Sequence, residues 1–520
     1  MKGRFVPDGC ERALADDTHL PIDALESTEP ESVPTPGPQA DRPPRESRLP
    51  ARFLLPLIVA CALFMENLDS TVLSTSLPAI AADFGESPIR LKLALTSYLL
   101  ALAVALPASG WLADRYGARH IFRLAIVLFL AGSIWCGFSH EIAWIVAGRI
   151  VQGIGGAMMV PVGRLVILRS IPRSELVGAM AWLTIPALVG PVLGPPVGGF
   201  ITTYFEWRWI FWINVPIGIL GLVLATIFIP NLRGEERVDF DLAGFTLTAL
   251  GLAAFVTAST TLGLGVASPL ADAALFAAGI ALLTIYWLTS RNKASPILDL
   301  GLFRLQTFRG AVAGGLLFRI GVGATPFLLP LMLQLGFGMT PFQSGSITFV
   351  SAVGAMAMKL AAPPILRIFG FRRVLIVNTL VAAAFVLLPA TFRPGMSLWL
   401  MMGLLLIGGF FRSLQFTSAN ALAFAEVTSV RLSRATTLAS VMQQVALSLG
   451  ITIGALAIEA TVAGGPIDNA ADFMPAFLVV GFVTLCSLPF FVSLPKDAGR
   501  EMSGHRQLAP DPVTAARERG

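Results

Sequence analysis

Charge is scarce in this sequence. Asp, Glu, Lys and Arg make up 13% of its 520 residues, about half the share of an ordinary soluble domain, while 55% of residues are apolar and the mean hydropathy is +0.74. Such a chain has more apolar surface than a water-soluble fold can hide, which excludes a soluble enzyme and points to a lipid bilayer as the surrounding medium. Cysteine is nearly absent as well: Cys61, Cys136 and Cys486 lie inside apolar runs and Cys10 in a polar stretch. That spacing offers neither a disulfide framework nor a set of metal ligands, so no metal and no other cofactor is expected. The four histidines, His19, His120, His140 and His505, all fall outside the apolar runs, so proton chemistry within the membrane has to use carboxylates. The net charge of +5 and the pI near 9.3 do not mark a nucleic-acid binder, because the basic residues sit in short clusters between apolar runs instead of on one face.

What the chain does have is apolar length. Fourteen apolar segments run between residues 52 and 494, enough for as many helices of roughly 20 residues each. The expected fold class is an all-α membrane protein with 14 transmembrane helices. Residues 1–50 are a different material, with Pro21, Pro30, Pro34, Pro36 and Pro38 set among acids and small polar residues. Such a stretch cannot offset its ordering entropy by burial and reads as a disordered cytoplasmic tail. It does not read as a signal peptide, since the first apolar run begins only near Arg52. If the N-terminus is cytoplasmic, the inner loops hold seventeen Lys and Arg and the outer loops hold only Arg90, Lys92, Arg208 and Arg393. Under the positive-inside rule this asymmetry places both termini in the cytoplasm.

A faint internal repeat organises the segments further. The turn after the second reads Gly110-Trp-Leu-Ala-Asp114-Arg115-Tyr-Gly117-Ala-Arg119-His120, and the turn after the tenth reads Pro364-Ile-Leu-Arg367-Ile-Phe-Gly370-Phe-Arg372-Arg373. Aligning Gly117 with Gly370 also aligns Arg119 with Arg372, although a glycine flanked by arginines is also an ordinary tight turn. Two six-helix halves, 51–230 and 307–495, around a linker 231–306 carrying two extra helices would give this offset, leaving 496–520 as a second cytoplasmic tail.

Charges inside apolar runs are costly and therefore functional candidates. Asp69 lies near the middle of the first segment, and Glu66 is one turn earlier on the same face. Two neighbouring carboxylates in a low-dielectric site repel each other, which makes one of them a natural proton carrier. Arg149, about as deep in the fourth segment, can face Asp69, and Gln152 is one turn further on. The plainer readings are a static ion pair for Asp69 and Arg149, and a residue facing a wet cavity without titrating for Glu66. In the second half Arg319 and Arg412 are deep, and Gln415, Asn420, Gln443 and Gln444 add hydrogen-bonding capacity nearby. Basic groups lining a cavity favour anionic or zwitterionic cargo. Lys359 and Glu459 lie nearer segment ends, where each side chain can reach an interface.

Several motifs carry a family resemblance. Gly110 to His120 resembles the loop motif of the major facilitator superfamily, and Ala147-Gly-Arg149-Ile-Val-Gln152-Gly153-Ile-Gly155-Gly156 resembles its fourth-helix motif. Gly190-Pro191-Val-Leu-Gly194-Pro195-Pro196-Val-Gly198-Gly199 resembles the fifth-helix motif that marks antiporters. Leu68-Asp69-Ser70-Thr71 and the run from Trp207 through Asn214 to Gly218 are similar to signatures of the fourteen-helix drug:proton antiporters, the EmrB/QacA type, most nearly its MdtD/HsrA-like branch. The resemblance covers residues 52 to 495. It implies proton-coupled export of small amphipathic molecules through a bacterial inner membrane by alternating access, with protons and the bilayer as partners and a periplasmic adaptor left open. It also implies a switching role for Arg149 and a cytoplasmic latch made by Gly110, Asp114, Arg115, Gly117 and Arg119. At the position of Glu66 the family more often shows glutamine, which suggests that this residue tunes cargo charge or adds a second titrating group.

The motifs also have local reasons. Gly190, Gly194, Gly198 and Gly199 recur at helical spacing and are expected to offer one smooth face to another helix, while Pro191, Pro195 and Pro196 remove backbone donors and bend the segment. Gly117 supplies a tight turn, and Asp114 can pair with nearby arginines. The rival readings are a proton-coupled importer or facilitator, against which the fifth-helix motif speaks, and a membrane sensor or scaffold, against which the lack of any signalling segment speaks. A membrane-embedded enzyme is disfavoured because no His/Asp/Ser cluster or metal motif falls in the apolar runs.

One expectation follows from the tail composition alone. Deleting residues 1 to 45 should leave membrane insertion and transport unchanged, as measured by protein level in membranes and by export rate.

Overall fold

The computed structural model describes residues 51–171, 176–230, 240–262, 268–291, 293, 296–428, 431–462, 467 and 469–499. The expected tails, 1–50 and the part of 496–520 beyond Gly499, lie outside the described residues. Among those that are described, the chain is a bundle of long helices: α1 (Ala51–Phe84), α2 (Lys92–Tyr116), α3 (Ala118–Gly137), α4 (Ile142–Ser170), α5 (Leu176–Tyr204) and α6 (Trp209–Phe228). Then come α7 (Leu242–Thr261), α8 (Pro269–Ser290), α9 (Gln306–Gly336), α10 (Pro341–Phe369), α11 (Phe371–Thr391), α12 (Leu398–Ala423), α13 (Leu432–Val462) and α14 (Ala470–Val492). Thirteen of these are long and apolar enough to cross a membrane, and α5, with 29 residues, stands between the fourth and the fifth of them.

Helix ends are set by local chemistry. Thr340 caps α10 by accepting from the Gln343 N–H at 3.2 Å, Gln343 returns the bond to the Thr340 N–H at 3.0 Å, and Pro341 takes the first helical position. Ser268 and Pro269 start α8 in the same manner. The two turns aligned by sequence are alike in backbone too: Gly117 between α2 and α3 has φ 97°, and Gly370 between α10 and α11 has φ 73°. Both values lie in the left-handed region that a side chain disfavours, so each glycine lets one helix end and the next begin with no intervening loop.

Within the first group of helices α1 packs on α5, and α4 packs on α2 and α3; among α9 to α14, α10 packs on α12 and α9 on α13. The two groups meet along two seams, α5 on α10 and α2 on α13. In a two-half arrangement these are equivalent, since the second helix of each half meets the fifth helix of the other. The pair α7 and α8 docks through α7, whose Leu252 and Val256 share an apolar cluster with Ala103 of α2 and with α13.

Glycine makes the α1–α5–α10 contacts possible. A Cβ on Gly190 would lie 3.0 Å from the Phe64 carbonyl oxygen, and one on Gly198 would lie 2.5 Å from that of Val72, so both abut α1, as does Gly194 against Thr71. Gly199 departs from the expected single face. It is about 100° around the helix from Gly198 and abuts Phe342 and Pro341 of α10, while Gly345 of α10 abuts Pro195 in return. Helix α5 is therefore a two-sided contact surface, smooth toward its own group and toward the other.

The two ends of the bundle are packed differently. Toward the cation-poor end one continuous apolar cluster joins both groups, with Leu77 and Ile80 of α1, Leu95 of α2, Phe327 and Leu331 of α9 and Ile458 of α13. Toward the cation-rich end there are two cores, one confined to α1–α6 and the other built on α9–α14 with α7, Tyr286 of α8 and Ala103 of α2. Lys92, expected in an outer loop, is instead the first residue of α2 and wholly buried. Its ammonium and one carboxylate oxygen of Glu459, across the α2–α13 seam, lack hydrogen-bond partners among the described residues.

The glycine contacts give a graded test. Gly198→Ala and Gly345→Ala should each lower stability by about 1–3 kcal/mol through overpacking against backbone oxygen, whereas Gly403→Ala, where an added Cβ meets nothing within 4 Å, should be neutral. Thermal unfolding of purified protein in detergent checks the order.

Candidate functional site

Asp69 sits near the middle of α1, where it is 3% exposed. Its carboxylate is surrounded by three donor side chains from two other helices, α4 and α6. Arg149 Nη1 of α4 donates to Oδ2 in a close ion pair, and Oδ1 accepts from Asn214 Nδ2 of α6 at 2.7 Å and from Gln152 Nε2 at 3.2 Å. Arg149 is wholly buried and makes two further bonds: Nε donates to the Ala94 carbonyl at 3.2 Å, and Nη1 also donates to Gln152 Oε1 at 2.9 Å. The Tyr98 ring lies beneath its guanidinium at 4.1 Å. Ser133 of α3 closes the network by accepting from Gln152 at 2.7 Å and from Asn214 at 3.3 Å. A buried ion pair is tolerable only when its leftover donors and acceptors are satisfied in this way.

Glu66 is buried one turn before Asp69, and its Oε2 has no hydrogen-bond partner among the described residues. Oε1 and the Tyr98 hydroxyl both lie beside Gly156 of α4, within 3.5 Å and 3.0 Å of where a Cβ would stand. The two carboxylates thus flank the Arg149–Tyr98 stack, one saturated with donors and the other not.

A cavity of about 510 Å³ opens among α5, α9, α10, α12 and α13. Arg319, Arg412, Asn420 and Gln443 line it, together with Pro191, Phe416 and Met356. Arg319 donates to Asn420 Oδ1 and lies over the Phe416 ring at 5.4 Å. Lys359, expected to reach the membrane surface, lines this cavity instead. Three cations therefore share a lining that contains no acid among the described residues, and none of the three is in an ion pair there.

Three glutamines expected in the cavity are placed elsewhere. Gln152 is spent on the Asp69 network. Gln415 faces the opposite side of α12, where it accepts from Asn378 at 2.8 Å and donates to Thr379 at 2.8 Å on α11. Gln444 is not among the lining residues, being one position and so about 100° around α13 from Gln443.

At the cation-rich end Asp114 is bonded by Arg169 Nη2 of α4 at 2.8 Å, joining the ends of α2 and α4. Of the arginines beside it in sequence, Arg115 lies over Trp111 at 5.5 Å, and the Nε of Arg119 is buried without a hydrogen-bond partner among the described residues. Gly110 faces open space, whereas Gly117 makes the turn itself. Arg169, Asn214, Ser133, Tyr98 and Lys359 carry parts of these sites that sequence reasoning passed over. Asn214 stood in a recognised signature but without a role, since polar residues at helix ends are common and only the fold aims this one at Asp69.

Comparison with known proteins agrees with this architecture. The description Major Facilitator Superfamily matches residues 59–241 and 311–517, three-quarters of the chain, so the chain belongs to that family. It is 38% identical over 457 residues, 86% of this chain and 96% of the other, to the protein named for multidrug resistance, MdtD, of Shigella sonnei (strain Ss046). To its namesake of Serratia proteamaculans (strain 568) it is 37% identical over 465 residues, 88% and 96% of the two chains. In fold it is similar to a bacterial homologue of the human lysosomal transporter Spinster, with TM-score 0.59 and 15% identity over 89% of this chain and all of the other. The xylose transporter XylE from E. coli gives the same score and identity over 87% and 99%. The chain is a multi-pass membrane transporter of small molecules and not an enzyme.

The Asp69 network predicts the effect of losing its least charged member. Asn214→Ala should remove one donor from a buried carboxylate and lower stability by about 1–3 kcal/mol, while Thr226→Ala, exposed on the same helix, should cost little. Thermal unfolding of the two variants in detergent is the measurement.

Proposed function

We propose that this transporter exports small amphipathic molecules in exchange for protons across the bacterial cytoplasmic membrane, with both termini in the cytoplasm. The observation that carries the reading is the buried Asp69–Arg149 pair, an acid in mid-membrane whose partner is held by that acid. Protonation of Asp69 cancels the attraction and frees Arg149, and loss of the proton restores it, so helices α1 and α4 have two arrangements whose balance follows a proton. Glu66, one turn away with an unanswered oxygen, is the second proton carrier. The relatives named for multidrug resistance support export of varied cargo. Arg319, Arg412 and Lys359 around the 510 Å³ cavity favour cargo that is anionic or zwitterionic, and Phe416 and Met356 favour an apolar body. The Asp114–Arg169 bond and the Gly117 turn serve as the cytoplasmic latch, and the two-sided α5 is the surface on which the halves rock.

Asp69→Asn, which mimics the protonated acid, should keep substrate binding and abolish proton-driven export. Glu66→Gln should retain export with a changed pH optimum or cargo charge preference. Substrate-induced proton release from the purified protein decides between them: undiminished release in Asp69→Asn would move the coupling role to Glu66.

A further inference from the structure

A second cavity, of about 460 Å³, lies at the cation-rich end away from the transport cavity. Of its twelve lining residues five are cationic and one is acidic. Arg291 and Lys293 follow the end of α8, Arg304 precedes α9, and Arg431 and Arg434 stand at the start of α13. The walls are fixed by bonds of their own. Asp299 accepts from Arg431 Nε at 2.9 Å and Nη2 at 2.6 Å, and from the Gly301 N–H at 3.1 Å. The Tyr286 hydroxyl donates to the Leu298 carbonyl at 2.7 Å and accepts from the Leu298 N–H at 2.8 Å, pinning the connection to α8. Lys293 donates to Asp241 at 2.6 Å. Burial works against the Asp241 charge, yet Lys293 and the Gly244 N–H hold its carboxyl below the usual value. Arg291 lies over the Trp287 ring at 3.9 Å.

Next to this cationic hollow α8 turns apolar side chains outward, with Ile285, Trp287 and Leu288 between 43% and 52% exposed. Only 17% of the apolar window of α8 is buried in the bundle, the smallest share of the thirteen spans. A positive hollow at the end of a lipid-facing helix matches a molecule with an anionic head and hydrocarbon chains. Guanidinium forks suit phosphate oxygens, and a headgroup carrying its own cation would be repelled by the same cluster.

We propose that this cavity binds a phosphate-bearing anion, the headgroup of an anionic phospholipid whose chains lie along α8. Its cations come from the inserted pair and from the following helices, so one bound headgroup ties α8 to the start of α13.

The test uses the full chain in neutral detergent at constant ionic strength, with short-chain phosphatidylglycerol, phosphatidylcholine or inorganic phosphate added. Phosphatidylglycerol should raise the unfolding temperature by several degrees and phosphatidylcholine should not. Arg304→Ala/Arg434→Ala should lose most of that rise, and Arg123→Ala, at another turn of the same end, should keep it. Native mass spectrometry counts retained phosphatidylglycerol in the same samples, so a double variant too unstable for a melting curve is still decided by its bound lipid. An equal rise with inorganic phosphate would uphold the anion site and overturn the lipid as its occupant. Equal phosphatidylglycerol binding by wild type and double variant, or no rise with either anion, would overturn the site.

Discussion

Burying Asp69 and Arg149 together is the constraint around which five of the first six helices are arranged. An isolated ion at that depth costs several kcal/mol, and attraction between the two repays this only with good geometry and further hydrogen bonds to the pair. That requirement recruits Gln152, Asn214, Ser133, Tyr98 and the Ala94 carbonyl, which places α2, α3, α4 and α6 around one carboxylate of α1. The small residues Gly132, Ser133 and Cys136 of α3 and the Gly148–Gly156 stretch of α4 fit the same need. A Cβ on Gly155 would stand 2.7 Å from the Ala125 carbonyl oxygen and one on Gly153 2.7 Å from that of Tyr98, so the helices approach closely enough for short polar side chains to bridge them.

How much of this was legible depended on whether a signal survives ignorance of helix rotation. Apolar run length, the surplus of cations at one end and rare charges in mid-run do survive it, so the helix count, Asp69 and Arg149 could be read directly. The matched glycine turns survive it as well, because a positive φ is a local requirement. Which side of a helix a residue faces does not survive. Gln443 lines the cavity and Gln444, one residue on, does not; Gln415 turns away from it; Gly199 leaves the face of Gly198 for another helix. Lys359 looked like an interfacial lysine because its distance from the helix end was readable and its direction was not.

The two seams differ in material although they are equivalent by position. At α5–α10, glycines and prolines bring backbone against backbone, as where Gly345 meets Pro195. Such a contact has few interlocking side chains. At α2–α13 the helices carry larger side chains, and α7 covers the junction at the level of Ala103. One seam is thus backbone on backbone, while the other is covered by the pair α7 and α8 through α7.

Lys92 and Glu459 give the sealed end an unusual character. Packing of Leu95, Phe327 and Ile458 holds that end shut, yet the same packing strips water from an ammonium and from a carboxylate oxygen without supplying hydrogen bonds to either. Separation of α2 from α13 would return both groups to water. At that end apolar cohesion and the attraction between the two opposite charges are set against the hydration that both groups forgo.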